Sequence, residues 1–251
     1  MLLNEMMDER RKVLLNYVYQ KCQGTVQHGI FKGMKLLKKS KWGDGDLGGK
    51  LMGIYENELF PIIEQAIADE HDLIINYGCA EGVYGIGMAM KLPNSKIVMF
   101  DIDQDLLDIA KENAKLNNVN NVEFSSNCNN TEYFESLLSQ AKNPFVIMDC
   151  EGYEDFMLNL ESVPTLSRTS LIVEMHDFMK PGLTNNLVYK FNETHSLEGF
   201  TQGSKDYHIE PILELSDTDK LILLNENRPC TMNWVYMIPK TKDREPEDVT
   251  E

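Results

Sequence analysis

The chain has 251 residues, 42% hydrophobic and 25% charged, with a net charge of −16. That length and composition fit a soluble globular protein with one full core and an appendage. So acidic a chain is a poor partner for nucleic acid, whose affinity comes largely from Lys and Arg neutralising phosphates, so DNA and RNA are disfavoured as substrates.

From Asn4 to about Lys21, Val13, Leu14, Tyr17 and Val18 recur at helical spacing, as do Leu59, Ile62, Ile63, Ala66 and Ile67 in a second segment. Between them, Lys35–Trp42 leads into Gly43-Asp-Gly-Asp-Leu-Gly-Gly49, a stretch too glycine-rich for regular structure. Residues 1–70 thus read as flanking helices with a mobile loop, and residues 41–50 as a lid over a site.

Residues 71–240 read as the core. Candidate strands at 73–77, 96–101, 121–126, 145–149 and 170–175 alternate with helices near 81–92, 104–117, 131–141 and 152–160. Asp103 marks the start of the second of these helices. The alternation predicts an α/β fold, a doubly wound and mostly parallel Rossmann-like sheet with its ligand crevice at the strands' carboxyl ends. After a helix at 183–197, apolar runs at 208–214, 219–224 and 233–238 are joined by short polar loops, which predicts a C-terminal antiparallel hairpin. The charged tail, residues 241–251, reads as disordered.

The segment Leu73-Ile-Ile-Asn-Tyr-Gly-Cys-Ala-Glu-Gly82 is a strand running into a glycine turn, and Ile97-Val-Met-Phe-Asp101 is a second strand ending in an acid. Glycines let backbone approach a ligand at a helix N-terminus, and the acid can accept hydrogen bonds from two ribose hydroxyls. A pyrophosphate site usually reads G-x-G-x-x-G, whereas here Glu81 lies between Gly78 and Gly82. A carboxylate there suits a cation, and S-adenosylmethionine carries an ammonium and a sulfonium but no phosphate. Asn76, Gly78, Glu81, Gly82, Asp101 and Asn127, all at or beside strand ends, are the candidate cofactor-binding residues.

The next two strand ends read Ile147-Met-Asp-Cys-Glu-Gly-Tyr-Glu154 and Leu171-Ile-Val-Glu-Met-His-Asp177. Alternation along a strand puts Glu174 and His176 on one face and Met175 and Asp177 on the other. Asp149, His176 and Glu151 are the candidate catalytic residues, because carboxylate beside imidazole suits base and metal chemistry. Glu154 reads as a helix-start acid, favourable in a first turn.

These segments resemble an FkbM-type, class I S-adenosylmethionine-dependent methyltransferase, over roughly residues 50–240. Asp149-Cys-Glu-Gly-Tyr-Glu154 is similar to that family's D-x-E-G-x-E, Ile172-Val-Glu-Met-His176 to its I-x-E-x-H, and Gly78-Cys-Ala-Glu-Gly82 to its glycine loop. The resemblance implies cofactor binding by Gly78, Glu81, Gly82 and Asp101. It also implies an acceptor hydroxyl, on a sugar or another natural product, facing Asp149 and His176. Asn76 departs from the pattern, standing where many members have an acid.

Methyl transfer needs a positioned acceptor and a base. His176 is the first candidate base, with Asp149 orienting it or taking the proton itself. In a second division of labour, Asp149, Glu174 and His176 hold Mg²⁺ or another divalent ion. Mixed oxygen and imidazole ligands are less usual for Mg²⁺, which favours metal-free base catalysis.

Two rivals stand beside this reading. A short-chain NAD(P) oxidoreductase needs Tyr-x-x-x-Lys after the glycine loop; Tyr17/Lys21 precede it and Tyr236/Lys240 are interrupted by Pro239. A catalytically inactive methyltransferase-fold binding subunit would bind cofactor without turnover. The five cysteines, Cys22, Cys79, Cys128, Cys150 and Cys230, form no C-x-x-C pair and read as free thiols. No apolar run reaches 18 residues and Met1–Arg11 mixes acids and bases, so neither a membrane span nor a signal peptide is expected, and the expected location is cytoplasmic.

Overall fold

The computed structural model describes residues 2–39 and 46–240. The N-terminal part holds α1 (Leu2–Cys22), α2 (Leu47–Met52) and α3 (Phe60–Ala68). There follow β1 (Leu73–Tyr77), α4 (Val83–Lys91), β2 (Lys96–Phe100), α5 (Gln104–Leu116), β3 (Val122–Ser125), α6 (Thr131–Gln140) and β4 (Pro144–Met148). The chain continues through α7 (Glu154–Met157), β5 (Ser170–Glu174), α8 (Leu183–Phe191), β6 (His195–Thr201), α9 (Asp217–Leu224) and β7 (Asn233–Pro239).

The seven strands form one sheet in the order β3-β2-β1-β4-β5-β7-β6. The first five are parallel, while β7 runs antiparallel to both β5 and β6. This is the doubly wound sheet with a C-terminal antiparallel hairpin that the alternation predicts. Every residue of β1, β4 and β5 is buried, because helices cover both faces of a parallel sheet. Along β1, Ile74 joins one apolar cluster with α1, α2 and α3, while Leu73, Ile75 and Tyr77 join another with α6 and α8. The strand order reverses between β1 and β4, so the loops leaving them diverge and open a crevice.

Several elements differ from the sequence reading. In α1 the buried stripe is Leu14, Leu15 and Val18, whereas Val13 and Tyr17 are exposed. Residues 47–52 are a buried helix, not part of a mobile loop. Gly48 is there for contact: a Cβ on it would lie 2.3 Å from the Leu223 carbonyl oxygen of α9. Residues 41–45 of the expected lid lie outside the described residues, as does the 241–251 tail. The helix expected over 183–197 ends at Phe191, and 195–201 form β6. Its mostly polar, half-exposed side chains carry no strand alternation, so only pairing with β7 along its whole length makes it a strand. The hairpin partners are joined through residues 202–232 rather than a short loop. Residues 208–214 form turns, and Ser216, read as a loop residue, caps α9 by accepting from the Asp219 N–H at 3.2 Å.

Candidate functional site

The loop after β1 starts at Gly78, whose φ of +73° lies in the left-handed region and whose added Cβ would lie 1.5 Å from the Asp149 carbonyl oxygen. Only glycine lets this loop run against the loop after β4. Asp101, at the end of β2, braces it: one carboxylate oxygen accepts from the Ala80 N–H at 2.8 Å and the other from the Asp103 N–H at 2.9 Å. Burial pushes the Asp101 carboxyl up, and those two backbone bonds oppose the shift. A carboxylate has about four lone-pair sites, so each oxygen keeps one toward the cavity beside it.

That cavity, of about 450 Å³, is lined by Gly78, Asp101, Ile102, Cys128, Asn129 and Tyr153, together with Ala80, Asp149 and Glu151. A second cavity of about 320 Å³, bounded by Lys50, Tyr55, His176, Phe178 and Arg228, is also lined by Ala80, Asp149 and Glu151. The two spaces meet across these three residues.

At this junction the strand ends deliver a dense set of charges. His176, 2% exposed, places Nδ1 2.7 Å from Glu154 Oε1 and Nε2 3.5 Å from both Asp149 Oδ1 and Glu151 Oε2. Burial opposes charging of the imidazole, but the Glu154 bond and the Asp149 and Glu151 charges outweigh it, so the His176 pKa is raised. Glu174, two residues before His176, has its Oε1 2.8 Å from Arg228 Nη1. Burial, then the neighbouring Asp149 and Glu56 carboxylates, push Glu174 up against the pull of Arg228. Asp149 is raised by burial and by Glu56.

Of the expected cofactor residues, Gly78, Gly82 and Asp101 shape the loop after β1. Asn76 Oδ1 accepts from the Gly85 N–H at 3.1 Å and so pins α4 to β1. Glu81 was expected to meet a ligand cation; instead it is buried with Oε2 3.0 Å from Lys50 Nζ, which also lies 2.6 Å from Asp46. Asn127 is exposed, and the cavity wall there is Cys128 and Asn129. The metal set read from sequence changes in one member. Among the described residues, donor atoms of Asp149, Glu151 and His176 lie within 4.8 Å of one another, while Glu174 is taken by Arg228.

Three site residues escaped the sequence reading. Glu154, read as a helix-start acid, is fully buried and accepts from the Cys150 and Gly152 N–H groups as well as from His176. The second acid of the D-x-E-G-x-E spacing was its only signal. Lys50 was hidden in the glycine-rich stretch. Arg228, in an apparent loop, joins Glu56, Glu174 and Glu226 beneath the site with its guanidinium over Trp234. No local pattern points to it. The Tyr-x-x-x-Lys pairs of the oxidoreductase rival lie elsewhere: Tyr17 and Lys21 share Glu214 on the surface, and Tyr236 is buried in β7.

Residues 68–183 match a family described as a methyltransferase domain. The release factor glutamine methyltransferase of Aliivibrio fischeri is 26% identical over 107 residues, 42% of this chain. The match spans about a third of that enzyme's length, 36%. The structure of an O-methyltransferase from Bacillus cereus in complex with SAH superimposes with a TM-score of 0.50 at 14% identity, over 71% of this chain and 79% of that one. The likeness is one of fold. Over residues 68–183 the chain is thus similar to a methyltransferase domain, and its sheet order and strand-end crevice fit that likeness. Among the described residues, no helix is long and apolar enough to cross a membrane.

Proposed function

We propose that the protein is an S-adenosylmethionine-dependent O-methyltransferase of the FkbM type, acting on a hydroxyl of a sugar or another natural product. The observation that carries this reading is the pair of cavities meeting at Ala80, Asp149 and Glu151. In the larger, Asp101 offers its remaining lone pairs to ribose hydroxyls, and Ile102 and Cys128 offer apolar walls to a purine. Bound there, S-adenosylmethionine supplies a methyl group on a sulfonium. An acceptor in the second cavity would then have its hydroxyl at the shared wall, and Asp149, Glu151 and His176 are the groups there that manage its proton. Phe178, exposed in the second cavity, sets a flat apolar face beside these carboxylates, a pairing suited to a polyhydroxylated ring.

The test is thermal unfolding with S-adenosylhomocysteine or NAD. S-adenosylhomocysteine should raise the Tm by mass action while NAD leaves it unchanged. A shift with NAD alone would overturn the reading. Binding without turnover across a panel of hydroxylated acceptors would favour the inactive binding subunit.

A further inference from the structure

We propose that Asp149, Glu151 and His176 form a binding site for one divalent transition-metal ion of the Mn²⁺, Fe²⁺ or Zn²⁺ class. The site stands on side-chain geometry; only its part in catalysis rests on the methyltransferase reading.

His176 carries the argument first. Its Nδ1 is engaged by the buried Glu154, which fixes the tautomer with the proton on that nitrogen and turns Nε2 toward the second cavity. A metal-ligating histidine characteristically gives its other ring N–H to a carboxylate in this way. Among the described residues Nε2 makes no hydrogen bond, and its nearest polar neighbours are Asp149 Oδ1 and Glu151 Oε2, each at 3.5 Å.

These distances leave room for a shared ion. An imidazolium N–H bonded to a carboxylate would close to about 2.7–2.9 Å on one oxygen. Donors each about 2.1 Å from a common ion, at angles of about 90–110°, sit roughly 3.0–3.4 Å apart. Nε2 stands 3.5 Å from each of its two neighbours, slightly beyond that second spacing, and the three donor atoms lie within 4.8 Å of one another, so small side-chain movements would close them on one ion. Glu151 reaches the cluster from left-handed backbone, φ 53°, a conformation uncommon for a side-chain-bearing residue.

The donor set names the class of ion. One imidazole nitrogen with two carboxylates suits first-row transition metals better than Mg²⁺ or Ca²⁺, which prefer all-oxygen shells. Three protein ligands leave coordination positions open, and Asp149 and Glu151 also wall the cofactor cavity. An acceptor hydroxyl in the second cavity could therefore occupy an open position and be acidified there.

The experiment titrates the full chain, stripped with chelator and dialysed metal-free, with Mn²⁺ alone while electron paramagnetic resonance follows free Mn²⁺. One ion should bind per chain, with Zn²⁺ competing and Mg²⁺ competing only in large excess. Glu151→Gln, in a side chain 56% exposed that the fold does not need, should weaken binding at least about tenfold. Glu154→Gln, acting through His176, should weaken it by about 10- to 100-fold. No stoichiometric Mn²⁺ binding by the unaltered protein, or affinity unchanged in Glu151→Gln and Asp149→Asn alike, would overturn the site. The S-adenosylhomocysteine thermal shift, measured on the same samples, separates the two readings. Mn²⁺ binding without that shift sinks only the methyltransferase proposal, and the shift without Mn²⁺ binding sinks only the metal site.

Discussion

Glu154 holds His176: its Oε1 accepts from Nδ1 at 2.7 Å while the Cys150 N–H, 3.0 Å from the same oxygen, fixes the carboxylate in turn. Both side chains are almost wholly buried, and this contact is the short hydrogen bond that holds the ring at the junction. Glu154→Gln keeps the volume and removes the charge. Turnover of a methyl acceptor should fall about 10- to 100-fold, the usual cost of losing a group that orients a histidine. S-adenosylhomocysteine affinity should stay unchanged, because Glu154 does not line that cavity. A parallel loss of both would make Glu154 merely structural.

Asp101 spends one lone pair per oxygen on backbone, and in the proposed function the remainder serve the cofactor. Asp101→Ala should weaken S-adenosylhomocysteine binding by roughly 1.5–3 kcal/mol, the range for hydrogen bonds to a charged group. Isothermal titration reads this as a roughly ten- to hundredfold rise in Kd. An unchanged Kd would show that the ribose lies elsewhere.

Gly48 sits where α2 crosses α9. Gly48→Ala would drive a Cβ to 2.3 Å from the Leu223 carbonyl oxygen, a backbone atom with little freedom to move. Overpacking of this kind costs about 1–3 kcal/mol, measurable as a lower urea midpoint at constant slope. Wild-type stability in this variant would show that α2 moves freely after all.

His195, at the start of β6, is buried with Nε2 2.9 Å from the Thr169 carbonyl oxygen. Burial lowers its pKa below the ordinary 6.5. Below about pH 6.5 the unfolded chain takes up a proton that the native state refuses, so stability falls as the pH drops. Replacing the imidazole, as in His195→Gln, should flatten the slope of unfolding free energy between about pH 5 and 7 relative to wild type. Equal slopes would mean that native His195 is protonated like the free side chain.

Much of the fold is legible because its central strands are buried on both faces. Ile74, Val98, Val146 and Leu171 belong to short continuous apolar runs that only a covered parallel sheet explains. The glycine loop and Asp101 are equally readable, since backbone approach and an acid at the next strand end are local demands. Edge strand β6 was not, because one face of an edge meets solvent and its strand state is decided by β7, more than thirty residues away.

The candidate site divides the same way. Sequence by itself determined that Asp149, Glu151, Glu154, Glu174 and His176 arrive at neighbouring strand ends, because chain order and sheet order bring those ends together. Only the tertiary structure decided which carboxylate serves which role. Glu174 turns to Arg228 and Glu154 to His176, while Glu81 is neutralised by Lys50 from a helix that looked like a loop. A buried charge must find its partner, and here the partners come from segments remote in the chain, which no local spacing can report.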